Sequence, residues 1–247
     1  MAAFNFGVGS LWASRTDISN PTPAQFGTLQ DVAVDFSFTS KPLMGQYQIA
    51  VAVARAGMKT TAKAKFATIE ALAFNEVFFG QTRATGLVTA VLNETSAIPA
   101  TPFTITVVNG ATFATDLGVF FTLTGVRLVR VAATPATGQY TVNTTTGAYL
   151  FAAADTLLSV AISYSYAAAA GGTKIVITNQ LMGAAPTFQM NLTSIYQGKN
   201  LSLQLNSCIS TKLSLPFKNE DWTIQEMDIE AFTDASNTLG TLSCTDL

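Results

Sequence analysis

Leu201-Ser202-Leu203-Gln204-Leu205-Asn206-Ser207-Cys208-Ile209-Ser210-Thr211-Lys212-Leu213 is the stretch that decides the fold class. Apolar and polar side chains alternate along it, and an extended strand sends successive side chains to opposite faces. On that period Leu201, Leu203, Leu205, Ile209 and Leu213 face a core. Ser202, Gln204, Asn206, Cys208, Ser210 and Lys212 face outward, giving a polar surface with a single charge. One leucine-lined strand with a polar back belongs to an antiparallel sheet with one face buried.

The same period recurs on both sides of this stretch. Val32, Val34, Phe36 and Phe38 alternate with Asp31, Ala33, Asp35 and Ser37. After a loop at 42–45, Tyr47, Ile49, Val51 and Val53 alternate with small or polar residues. Beyond a break at Gly57, Lys59, Thr61, Lys63 and Lys65 alternate with Thr60, Ala62, Ala64 and Phe66. Toward the end of the chain Phe188, Met190 and Leu192 lead into a turn at 197–200. A last strand over 222–232 sets Glu226, Asp228 and Glu230 on one face, before a short polar tail. The first residues, to about Gln25, carry Gly7, Gly9, Pro21 and Pro23 without a clear period and read as an extended arm. Only 68–79 breaks the pattern. Ile69, Leu72, Ala73 and Val77 recur at helical spacing, Thr68 is placed to cap the start, and Gly80 to end it. The expectation is a mainly β fold with one short helix.

From Asn93 to Gly172 the composition shifts to Ala, Thr, Gly and Pro with almost no charge. Short β runs over 119–131, 139–143, 148–152 and 156–166 predict an inserted β module (93–172) within a main domain built from 1–92 and 173–247. Gly138-Gln139-Tyr140 and Gly147-Ala148-Tyr149 read as tight turns followed by strand residues.

Charge is the unusual number. Only 11% of the 247 residues are Asp, Glu, Lys or Arg, against roughly 25% in an average soluble chain. A dispersed monomer needs a charged surface, so a chain lacking one is expected to hide surface against copies of itself or partners. The net charge of −2 argues against a phosphate-gripping surface. There is no histidine, which removes the commonest general base and metal ligand, and no G-x-S-x-G elbow. Cys208 and Cys244 are too few and too far apart for a zinc site and read as two reduced thiols. No basic-then-apolar leader opens the chain, and 157–170 is too short and polar to span a bilayer, so a cytoplasmic protein, or one in a particle assembled there, is expected.

No catalytic, cofactor or metal residues are assigned. Glu226, Asp228 and Glu230 could hold a metal or act as a glycosidase pair. No second cluster supports that, and Lys59, Lys63 and Lys65 share their spacing, so cross-strand ion pairing, within one chain or between subunits, is the better reading. Trp12 and Trp222 read as packing anchors.

Three segments carry a family resemblance: 63–69 running on to Val77-Phe78-Phe79-Gly80; 215–232, from Leu215-Pro216-Phe217 through Trp222 to Phe232; and the phrases at 137–142, 147–155 and 162–166. Together they resemble the major tail tube proteins of long-tailed (siphovirus- or myovirus-like) bacteriophages. The resemblance implies a tail-tube-type β-sandwich subunit that forms homohexameric rings. These rings stack into a hollow tube round a tape-measure protein, between tail completion and baseplate or tip proteins. It implies assembly in the host bacterial cytoplasm, residence in the virion tail, and DNA that passes through without specific binding. Candidate lumen-facing residues are Ser202, Gln204, Asn206, Ser210, Glu226, Asp228 and Glu230. Candidates for ring stacking are Trp12, Pro42, Leu43, Met44 and Gly45. Another phage or secretion-system assembly protein (head decoration, baseplate or secretion tube subunit) is the alternative.

Overall fold

A computed structural model of the chain describes residues 6–68 and 70–245. The chain divides into two compact units. Unit 1 is formed by residues 1–82 and 175–247, and unit 2 by 83–174. Unit 2 starts ten residues before the composition shift at Asn93, because its first strand opens with the unremarkable apolar residues Leu87, Val88 and Val91.

In chain order, unit 1 opens with β1 (Ser10–Arg15), β2 (Ala24–Phe26), β3 (Leu29–Met44), β4 (Ala50–Phe66) and the helix α1 (Ala71–Phe74). Unit 2 contributes β5 (Arg83–Ala97), β6 (Thr104–Thr106), β7 (Phe113–Phe121), β8 (Val129–Arg130), β9 (Gln139–Asn143), β10 (Ala148–Phe151) and β11 (Ser159–Ile175). The chain then completes unit 1 with β12 (Phe188–Tyr196), β13 (Lys199–Ser214), β14 (Gln225–Phe232) and β15 (Gly240–Cys244). The protein is mainly β with one short helix, as its alternation predicts.

Unit 1 is an eight-stranded sheet in the order β2-β1-β12-β13-β14-β4-β3, with β15 also on β13. Its core face is lined by Leu11, Phe66, Phe188, Met190, Leu205, Met227 and Ile229, and is capped by Ala73, Phe74 and Val77 of the helical segment. Phe66 packs edge-on against Phe26 at 5.1 Å and leans on Phe74 at 6.0 Å. Full burial of such a ring stabilises the fold by about 2–3 kcal/mol.

Several local expectations are corrected. The first residues are not a free arm: β1 and β2 are sheet strands, with Leu11 and Ala13 in the core. Three residues of alternation between glycines and prolines were too few to register as a period. The polar tail contains β15, paired with the first half of β13. β4 continues through Gly57, where its register against β3 slips by one residue, and β3 continues through Pro42, which lies on the edge strand where a missing N–H costs no ladder bond.

The helix starts at Ala71 rather than Thr68. Thr68 does not cap it; its hydroxyl bonds that of Thr28 at 2.8 Å, and Glu70 occupies the N-cap position. Ile69 lies outside the described residues. Past Phe74 the coil widens into a π-helical turn over Asn75–Phe79, closed by the Gly80 N–H donating to Asn75 C=O at 2.7 Å. The buried Asn75 amide then clamps Gln81 in both directions, at 2.8 and 3.0 Å. Gly80 ends the turn at φ 60°, the left-handed conformation expected of it.

Unit 2 is a two-layer sandwich with sheet orders β6-β10-β9-β8 and β5-β11-β7. Ile105, Tyr140, Tyr149 and Phe151 from one layer meet Val119, Val160, Ile162 and Tyr164 from the other in a single core. Gly147 precedes β10 at φ 63°, and a Cβ there would lie 2.6 Å from Gly110 Cα, so only glycine fits the turn.

Candidate functional site

Two β-bulges decide what β13 shows to solvent. The register slips between Phe188 and Met190 opposite 205–208, and again between Ser210 and Lys212. Each bulge inserts one residue and exchanges the faces of everything beyond it. Leu203 and Leu205 therefore point into the core, but so do Cys208 and Ser210, the latter directly opposite buried Ile229. Ile209 turns outward beside Glu230. The second bulge restores the original parity, putting Lys212 outside and Leu213 inside. Ser210 thus leaves the candidate polar face, while Ser202, Gln204 and Asn206 stay on it. Burial pushes the Cys208 thiol up to about 12, and neither cysteine is in a disulfide.

The outer face of the unit 1 sheet then has two halves. On one half, Gln25, Trp12, Asn191, Gln204 and Thr241 stand in register across five strands, with Ser10, Thr193, Ser202 and Ser243 in the row beside them. Apart from the Trp12 indole, these side chains carry amides and hydroxyls, and none is charged. Trp12 is 41% exposed here and Trp222 is 83% exposed, so neither is the packing anchor expected.

The other half is a lattice of charges. Asp31, Lys65 and Glu226 form one register row, and Lys63, Asp228 and Lys212 the next. Lys63 Nζ lies 3.2 Å from Glu226 and 3.5 Å from Asp228, Lys212 approaches the same two carboxylates at 3.5 and 4.0 Å, and Lys59 meets Glu230 at 2.7 Å. Lys65 pairs with Asp31 at 3.8 Å. The lysine row and the acidic row are therefore partners within one chain. Five carboxylates, counting Asp35, meet four ammonium groups on this face, which leaves it close to neutral rather than acidic.

The hydrogen bond from Lys63 holds the Glu226 carboxyl below its ordinary range, and that same bond raises Lys63. A depressed carboxyl adds stability above the unfolded-state pKa of Glu, and this is lost as pH falls through the folded value. A raised lysine adds stability below its unfolded pKa, lost as pH rises through the folded one. The pair is thus effective from roughly pH 4.5 to 10.5. We expect Lys63→Met to flatten the acid limb of a melting-temperature profile below about pH 5 and to change neutral stability little, because solvent screens these exposed groups. An unchanged acid limb would show that the pairing is not formed in solution.

The third feature is the distal part of the β3–β4 hairpin. β14 leaves β4 after Thr60, and the hairpin continues unaccompanied over 37–59. Some eight residues per strand at about 3.3 Å each make an arm of about 25 Å. No charged side chain occurs between Pro42 and Ala54. Ile49 is 83% and Val51 74% exposed; Leu43, Met44, Tyr47 and Val53 are exposed with them. Pro42, Leu43 and Met44 belong to this arm's edge strand, and Gly45 opens its turn. Alternation predicts two half-buried strands here, yet among the described residues no second layer covers either face.

No protein-family profile matches the chain, and no curated protein is similar to it. Among the described residues no three metal-ligating side chains converge, and no helix is long and apolar enough to cross a membrane.

Proposed function

We propose that the chain is a self-assembling structural subunit of a bacteriophage tail tube. In this reading, hexameric rings stack round a tape-measure protein between tail completion and baseplate or tip proteins, and the finished tube resides in the virion and conducts DNA. The observation that carries the proposal is the uncharged arm, apolar on both faces and unsupported by its own chain. A flat, long hairpin of this kind is an aggregation hazard unless a defined neighbour covers it. Repetition of one chain in a closed ring supplies such a neighbour at every position. The sheet's outer face, half uncharged and half internally neutralised, suits a channel through which a polyanion slides without binding.

Negative-stain electron microscopy of the purified protein, paired with sedimentation velocity, tests this. Hollow rings or striated tubes of uniform diameter are expected. A monodisperse monomer at all concentrations, even with tail initiator proteins added, would reject the proposal.

A further inference from the structure

Unit 2 has an open end. β5 leaves from Arg83 and β11 returns to Lys174 along one side of the sandwich, and the opposite end is formed by the end of β7, the turn before β9 and the start of β11. A cavity of about 760 Å³ lies there, walled by Phe121, Leu123, Leu157 and Leu158 and edged by Thr137 and Ser159. That volume is ordinary for a small-ligand site.

Two details show that this is more than a gap in packing. Leu157 has φ 65°, a conformation that costs a bulky residue energy, and it is 77% exposed. It is held there by its N–H donating to Ile98 C=O at 2.9 Å, while Ile98 N–H bonds Leu158 C=O at 3.0 Å. A strained backbone thus presents an apolar side chain at the rim, opposite Leu123, which is 93% exposed. The second detail is Asp155. The residue borders the cavity and is fully buried; Oδ2 accepts the Gly138 N–H at 2.8 Å, and Oδ1 has no hydrogen-bond partner. A buried carboxylate oxygen without a donor carries a desolvation cost that a bound donor would remove.

We propose that this end of unit 2 binds an ammonium group on an unbranched apolar stem: the alkyl part lies between Leu123, Leu157 and Leu158, and the nitrogen donates to Asp155. A free alkylamine and the lysine side chain of another protein share this chemistry. The site is built from unit 2 residues alone and does not depend on the tail-tube reading.

The test is an NMR titration of the full chain with n-butylammonium, n-butanol and Nα-acetyl-lysine methylamide, following amides of 121–124, 137–138 and 155–159. Shifts confined to these residues are expected, with butylammonium bound about tenfold more tightly than butanol. If the blocked lysine binds as well, the source is a protein side chain; if only the free amine binds, it is a small molecule. Asp155→Asn, which keeps an acceptor for Gly138, is expected to abolish the preference for ammonium over alcohol. Leu123→Ser, at a position with no folding role, is expected to weaken both ligands about fivefold. Equal binding of butanol and butylammonium, or shifts unaffected by Leu123→Ser, overturns the proposal.

Discussion

Replacing Val51 and Val53 together with aspartate is expected to eliminate rings and tubes and leave a folded monomer. Both side chains are exposed in the single chain; Val53 pairs with Pro42, and Val51 is the extra residue where the register slips between Leu43 and Met44. Exposed substitutions away from a core change fold stability by within about 0.5 kcal/mol, so the melting temperature is expected to stay put. In an assembled ring the same positions would be covered, and each would place an unpaired carboxylate in an apolar interface. Truncating a central interface residue costs about 2–4 kcal/mol, and burying a charge there costs more. Two such changes per contact weaken each by a factor of about a thousand or more. Leu43→Asp makes the same test of the opposite face, because Leu43 pairs with Ala52 while Val53 pairs with Pro42. Sedimentation velocity at matched concentration reads the outcome. Tubes of unchanged diameter from the double variant would remove the arm from the assembly mechanism.

How far the sequence predicts this structure depends on whether a feature is local. The β character and the glycine turns before β9 and β10 follow from period and spacing; the module is marked by composition, and the matched spacing of the lysine and acid rows leaves open whether they pair within one chain or between two. The faces of 206–210 do not, since a bulge adds a residue without changing the chemistry around it; Asn206-Ser207-Cys208 reads as smooth alternation, and only the register of β12 and β14 reveals the slip. Alternation reports two faces but not whether anything covers them, so Val51 and Val53 look no different from the buried Ala62 and Ala64 of the same strand. Trp222 misleads in the same way: aromatic size suggests an anchor, and a loop leaves it in solvent. The carboxylates of unit 2 were invisible for a further reason. Asp116 and Asp155 are isolated acids in a nearly uncharged stretch, and Tyr140 and Tyr149 reach Asp116, and Gly138 reaches Asp155, from 17 to 33 residues away.

Asp116→Ala is expected to give the largest loss of stability of any single change in unit 2. Its side chain is 4% exposed and accepts three hydrogen bonds: from Tyr140 Oη at 2.8 Å, Tyr149 Oη at 3.0 Å and Gly118 N at 3.0 Å. Arg130 Nη1 stands 3.6 Å away and balances the charge. Both phenols belong to the sandwich core, with their rings 5.7 Å apart. Without the carboxylate, two buried hydroxyls and one N–H lose their acceptor, at about 1–3 kcal/mol each, so a loss of at least about 3 kcal/mol is expected. Asp116→Asn keeps one acceptor oxygen and loses less, and Tyr149→Phe, which removes a donor together with its need, costs about 1 kcal/mol. Amide hydrogen exchange in β9, β10 and β11 of the full chain would follow these differences separately from unit 1. The same network sets the alkaline limit. Burial first, and then Asp116, push both phenols far above the ordinary tyrosine value. The folded chain therefore keeps protons that the unfolded chain releases above about pH 10. The contribution of these two phenols is flat up to that point and falls as pH rises beyond it. Reversible ionisation of Tyr140 and Tyr149 near pH 10 with β9–β11 protection intact would contradict the geometry; for these two, ionisation only on unfolding is the expected result, and in the Asp116→Ala chain that unfolding comes at lower pH because less stability remains to be lost.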